Sequence, residues 1–154
     1  NSLDTRALIW VTALNAFLNN KIFGVGYFMF HKISFHYNVL PENLYITFVE
    51  GLDTHSTFLG FLTETGLSGL ALILLYYAFT FYYSFRSLRI SKTESSRNIS
   101  VILNILVFFM FTTSIYSGAF TFGYNGFVMH IIIWLTIANY LFLKRNPIGE
   151  LEQN

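Results

Sequence analysis

Three stretches of the chain are apolar for long enough to cross a bilayer. The hydrocarbon core is about 30 Å thick and a helix rises about 1.5 Å per residue, so a crossing takes about 20 mostly apolar residues. Gly66 to Phe85 (GLSGLALILLYYAFTFYYSF) meets that with no ionisable group except Tyr phenols, and Ile99 to Gly118 (ISVILNILVFFMFTTSIYSG) meets it with Asn104 as its strongly polar interior residue. Phe127 to Leu143 is shorter and carries His130 near one end; extended back to Tyr124 it also reaches the needed length. The pattern predicts an all-α integral membrane protein with helices spanning at about 66–85, 99–118 and 124–143.

Residues 1–65 are patterned differently. Asp4 can cap a helix from about Thr5 to Leu18, on which Trp10, Leu14, Phe17, Ala7, Leu18 and Val11 share one side and Asn15, Asn19 and Thr12 the other. Such a helix suits the membrane interface, with Arg6 at the border of its apolar face, where a guanidinium reaches phosphate level while its stem stays buried. Gly24 and Gly26 mark a tight turn, and residues 28–53 read as a loop of low regularity. From Asp53 the helical pattern returns: Asp53 or Thr54 can cap, His55, Phe58, Leu59 and Leu62 share a face, and Gly66 and Gly69 bend this helix into the first span.

Charge fixes an orientation. Six of the nine Lys and Arg residues lie in the 86–98 loop (Arg86, Arg89, Lys92, Arg97) or just after the third span (Lys144, Arg145), while residues 1–65 hold five of the eight acids. Cations are retained on the cytoplasmic side, so the reading is residues 1–65 extracytoplasmic, a cytoplasmic 86–98 loop, an uncharged outer loop at 119–126 and a cytoplasmic tail. Tyr82, Tyr83, Tyr116 and Tyr124 suit the aromatic belts. A net charge of +1 supplies no field to hold nucleic acid, and the absence of Cys removes disulfides, thiolate metal sites and a thiol nucleophile. His31 and His36, five apart without paired acids at ligand spacing, make no metal site. Beginning at Asn1 and running straight into helix-like sequence, the chain reads as the C-terminal piece of a longer protein.

His55 is the leading candidate for chemistry, because the positive end of a helix disfavours imidazolium and leaves a base able to take a proton from a hydroxyl. Asp53, Glu50 or Glu64 would orient its ring. Arg6, with five donors in a planar fork, suits phosphate oxygens on the same side of the membrane. Lys21 and Lys32 are further cations there, and Gly24-Val25-Gly26 can offer backbone N–H groups to an anion. Each has a structural reading beside the functional one: a lipid anchor for Arg6, a polar turn residue for His55, a plain turn for the glycines, a cap for Asp53, and a hydrogen-bonded residue near the helix end for His130.

The order of features resembles a known family. Arg6-x-x-x-Trp10, then NNKIFGVGYFMF from Asn19 to Phe30, then THSTFLGFLTETGLSGLALILL from Thr54 to Leu75, is similar to the C-terminal catalytic region of the O-antigen ligases and O-antigen polymerases, over roughly residues 1–85. The resemblance implies a multi-spanning GT-C-like fold and an inverting, metal-independent glycosyltransferase without cofactor, active in cell-envelope polysaccharide and lipopolysaccharide biosynthesis. It would work at the outer face of the cytoplasmic (inner) membrane on an undecaprenyl-pyrophosphate-linked glycan donor, with a glycan or lipid-core acceptor and membrane lipids around it. Carried over by position, Arg6 corresponds to the arginine near the lipid pyrophosphate and His55 to the general base; from residue type and place in the chain, Lys21, Lys32, Gly24, Gly26 and Asp53 are candidates to line the substrate. Ser56 stands where many members have Asn, and Arg6 is the one arginine of the outer region. The rival reading is a non-catalytic membrane protein, a transporter fragment or a scaffolding subunit of polysaccharide export, in which Arg6 and His55 are exchangeable.

Overall fold

In the computed structural model, which describes residues 2–116 and 124–146 (2–4, 116 and 124–127 by their main chain alone), the chain is helical with no strand among the described residues. The elements in order are α1 (Ser2–Asn19), α2 (Phe30–Ile33), a 3-10 turn at Ser34–Tyr37, α3 (Glu42–Phe48), α4 (Thr57–Ile90), α5 (Glu94–Tyr116) and α6 (Tyr124–Arg145). The described chain divides into two compact units: one takes everything up to Leu74 together with the stretch from Ser114, the other runs from Leu75 to Thr113 and adds the last helix.

Among the described residues, helices α4, α5 and α6 are long and apolar enough to cross a membrane. Their 34, 23 and 22 residues correspond to about 51, 35 and 33 Å. The extra length of α4 is explained by a break at Gly66 (φ 69°, ψ −160°), which separates a short leading segment from the stretch that spans. Gly66 therefore makes the bend, and Gly69 lies within the helical run that follows. The uncharged loop at 119–126 lies largely outside the described residues, as do the side chains of Tyr116 and Tyr124.

In the second unit the three helices present seams with alternating spacings of three and four residues. These are Tyr77, Thr80, Ser84 and Ser87 on α4; Ser100, Leu103, Val107 and Met110 on α5; and Met129, Ile133, Thr136, Tyr140 and Leu143 on α6, all buried. That 3.5-residue repeat is the signature of helices packed side by side, and its Ser and Thr positions let backbones approach closely. Leu72, Phe79, Phe108, Trp134 and Phe142 are exposed on the same helices, as lipid-facing positions must be. Asn104, the polar residue in the second span, donates to the Ser84 carbonyl at 2.9 Å and to the Ser100 carbonyl at 2.8 Å. His130 pairs with the Tyr76 hydroxyl at 3.0 Å.

The first unit corrects the reading of residues 1–65 in three places. Asp4 falls inside α1, which begins at Ser2, so it does not mark the helix start. The face of α1 that packs inward is the opposite of the expected one: Ile9, Thr12, Ala13 and Ala16 are fully buried, whereas Val11, Leu14 and Leu18 are exposed. Small residues win because the inward strip must sit close to another backbone, and Thr63 Oγ1 donates to the Ala13 carbonyl at 3.3 Å. Residues 28–53 are not an irregular loop. Phe30, Tyr45 and Val49 join Ile9, Ala13 and Ala16 in one core, and polar bonds tie the segment down: Ser34 Oγ to Tyr45 OH at 2.8 Å and Asn15 Nδ2 to the Tyr37 carbonyl at 2.7 Å. Helices of four and seven residues are too short for a hydrophobic period to reveal them.

Candidate functional site

The site is framed by a clasp between two distant stretches of main chain. A helix broken at Gly66 leaves the carbonyls of Thr63 and Glu64 and the N–H groups of Leu67 and Ser68 without their helical partners. The stretch 21–26 supplies all four: Val25 N–H to Thr63 O at 3.0 Å, Gly26 N–H to Glu64 O at 2.9 Å, Leu67 N–H to Lys21 O at 2.8 Å and Ser68 N–H to Ile22 O at 3.3 Å. The two chains approach so closely that a Cβ on Gly24 (φ 67°) would run into the Glu64 carbonyl, and one on Gly66 into the Ile22 carbonyl. Glycine is needed at both for that reason as well as for its backbone angles.

The clasp corrects the expectation that residues 24–26 offer backbone donors to an anion. Gly24 N–H is taken by Asn20 O at 2.9 Å, and the next two donors belong to the clasp, so all three are spent within the protein. Lys21 lends its carbonyl to the same structure while its side chain stays exposed; Lys32 is exposed on α2.

Glu64 carries a role that differs from the one expected of it. Its carboxylate accepts from Phe28 N–H at 2.8 Å and from Phe30 N–H at 3.3 Å. It thereby ties down the segment leading into α2, where Phe28 holds a positive φ of 57°, and both of its oxygens are occupied away from His55. The signal in the sequence is its position two residues before Gly66: an acid at a helix break faces the loop that covers the break. Tyr27 lies beside it, and partial burial together with the Glu64 charge pushes the phenol above its ordinary value, keeping it a donor. His31, on α2, places Nδ1 3.8 Å from Asp53 Oδ1 and packs edge-on against Phe28 at 5.0 Å between ring centroids. Asp53 thus faces α2 and does not cap α4.

The cap is Ser56, whose hydroxyl accepts from Leu59 N–H at 3.4 Å. Helix α4 therefore starts at Thr57, and His55 stands one residue outside the cap instead of in the first turn. It is exposed, at φ 51°, a left-handed conformation that costs a non-glycine residue about 1 kcal/mol or more. On either side of His55 the chain is buried: Thr54 and Ser56 are 6% and 5% exposed, and Thr54 Oγ1 donates to the Ser56 carbonyl at 3.0 Å across the turn. The imidazole is thus displayed on a rigid tight turn.

Trp10 connects this turn to α1. Its indole N–H donates to the Thr54 carbonyl at 2.8 Å. Half-buried Arg6 is one turn earlier on α1, on the same face as Trp10. Beside the joint lies an apolar cavity of about 310 Å³, lined by Trp10, Leu14, Phe58, Leu59, Leu62 and Leu70 among others. The structure brings together Arg6's helix face and the His55 turn, and places Asp53 beside His31. Sequence reasoning missed Trp10 and Glu64 as the residues that position the rest. Among the described residues no three His, Asp or Glu side chains converge as a metal site would require.

The described residues thus form a helical membrane protein in which a main-chain clasp and the Trp10–Thr54 bond hold a histidine turn beside an arginine-bearing helix. Residues 1–74, which contain the whole of this arrangement, match the family model described as O-antigen ligase. No curated protein and no solved structure matches the chain.

Proposed function

We propose that the chain is the catalytic C-terminal part of an O-antigen ligase or polymerase-type glycosyltransferase, which transfers glycan from undecaprenyl pyrophosphate at the outer face of the cytoplasmic membrane. The observation that carries this is the Trp10–Thr54 bond, which joins the face of α1 bearing Arg6 to the turn displaying His55. In the reaction the acceptor hydroxyl oxygen attacks the anomeric carbon with inversion. The bond from that carbon to the pyrophosphate oxygen breaks, the pyrophosphate leaves with the electron pair, and the hydroxyl proton passes to the His55 ring. Arg6 answers the charge that grows on the leaving group. The apolar cavity beside Trp10 fits the first isoprene units of the lipid carrier, and exposed Lys21 and Lys32 would meet the more distant anionic parts of the substrates. Asp53 acts on this reading through His31, and Gly24 and Gly26 through the clasp.

The distribution of cations supports residues 1–65 on the outer side and, on the cytoplasmic side, the tail and the stretch 86–98, which the structure builds from the end of α4, a short turn and the start of α5. The deciding experiment is Arg6→Ala and His55→Ala in the full-length protein, with surface polysaccharide read beside protein abundance. Loss of polymer at normal abundance supports the reading; full polymer from either variant overturns it. Transfer in vitro from a lipid-linked donor to a lipid core, or to a second lipid-linked glycan, separates ligase from polymerase.

A further inference from the structure

The other charged feature of the molecule lies in the second unit and has no part in the reaction above. Arg86 and Arg89 on the last turns of α4, Lys92 in the turn that follows and Lys144 on the last turn of α6 line one cavity of about 390 Å³. None of the four makes an ion pair among the described residues; Glu94, two residues from Lys92, is not bridged to it. Each cation is favoured at its own helix C-terminus, but that does not explain why four open onto a single cavity, where each raises the energy of the others unless an anion lies between them.

The remaining walls say which anion. Tyr140 and Leu143, 9% and 6% exposed, close one side with apolar surface. A free inorganic phosphate has no use for such a wall, whereas a phospholipid presents a phosphate joined to glycerol and acyl carbon. The cavity also sits where the apolar stretches of α4 and α6 end, which is the level of lipid phosphates. The geometry points to a binding site for the headgroup of an anionic phospholipid, its phosphate among Arg86, Arg89, Lys92 and Lys144 and its glycerol against Tyr140 and Leu143. A zwitterionic lipid carries the same phosphate with an ammonium that four cations repel, so the site selects net negative charge. This inference rests on the membrane-spanning helices and not on the proposed reaction.

The test uses the full-length protein in nanodiscs of phosphatidylcholine doped with phosphatidylglycerol, with retained lipid read by native mass spectrometry. Phosphatidylglycerol is retained in preference to phosphatidylcholine, the preference falls with added salt, and each of Arg86→Gln, Arg89→Gln and Lys144→Gln lowers it about fivefold. Equal retention of both lipids overturns the proposal, as does an unchanged preference in all three variants. Saturation of the site by millimolar inorganic phosphate with no lipid preference reassigns it to a free anion and overturns the lipid assignment. A phosphatidylglycerol with a photoreactive headgroup, applied to the unsubstituted protein, decides without any variant: adducts within 86–92 and 140–144 support the site, and adducts confined elsewhere overturn it.

Discussion

The indole N–H of Trp10 and the carbonyl of Thr54 lie 2.8 Å apart across 44 positions of sequence. Because Thr54 is buried, its carbonyl has little access to water as an alternative partner, and the bond sets where the following residue, His55, is displayed. Trp10→Phe keeps an aromatic ring but removes the donor along with the five-membered part of the indole, at a cost of about 1–3 kcal/mol for the stranded acceptor on top of the lost packing. Polymer output is expected to fall further than protein abundance, which a parallel immunoblot and polysaccharide assay measures. Trp10→Ala adds a cavity at about 3–5 kcal/mol and is expected to deplete the protein itself.

Backbone strain and chemistry separate at His55. His55→Ala retains the left-handed residue and its penalty, whereas His55→Gly relieves about 1 kcal/mol of it, partly offset by the freedom glycine gains when unfolded. Both variants are expected to lose about 10²- to 10⁴-fold in transfer rate, with the glycine variant melting no lower than the alanine one. An active glycine variant would show that the turn, and not the imidazole, is what the position supplies.

The glycines with positive φ divide by what surrounds them. Gly24→Ala and Gly66→Ala force a Cβ into main-chain atoms and are expected to abolish accumulation of folded protein. Gly51, at φ 71° but with nothing within 4 Å of a Cβ, tolerates Ala at about 1–2 kcal/mol. Abundance in the membrane fraction ranks the three.

Glu64→Leu removes the acceptor from two N–H groups: the exposed one at Phe28 can turn to water, whereas the part-buried one at Phe30 costs about 1–3 kcal/mol if left without a partner. Glu64→Gln keeps one acceptor oxygen and is expected to be intermediate. Amide exchange across residues 27–32 reads the effect directly, rising in the order parent, Gln, Leu.

Asn104→Leu, by contrast, is expected to be mild. Its two acceptors, the Ser84 and Ser100 carbonyls, are main-chain groups within helices, so the variant leaves no bare polar atom, and an interhelical bond such as the one to Ser84 contributes about 0.6 kcal/mol on average. A change in melting of more than a few degrees would contradict this.

The three spanning helices were legible because length and apolarity alone decide them; even the break at Gly66 is announced by a glycine between two helical patterns. The buried face of α1 was not. Ranking positions by hydrophobicity favours Leu14 and Leu18, but in a membrane protein large apolar residues can face lipid, so burial inside the protein goes to Ala13, Ala16 and Thr12, where closeness matters more than apolarity. The buried seams of α4, α5 and α6, in which Ser and Thr stand among larger residues, follow the same rule, and the apolarity of the spans as a whole did not single them out. His55 and Arg6 were singled out as candidates by residue type and order. Trp10, which joins their two stretches, and Glu64, which ties down residues 28–30, act through contacts 44 and about 35 residues away, which no local pattern encodes.

The junction between residues 21–26 and 63–68 is made of amide and carbonyl groups, which every residue but proline brings along whatever its side chain. The stretch it encloses, from Tyr27 to Leu62, is therefore anchored at both ends independently of what its exposed positions contain. Phe35, Val39, Ile46 and their exposed neighbours can be exchanged while the histidine turn keeps its place, so on the proposed reading a change of acceptor would come at little expense to the frame that holds His55.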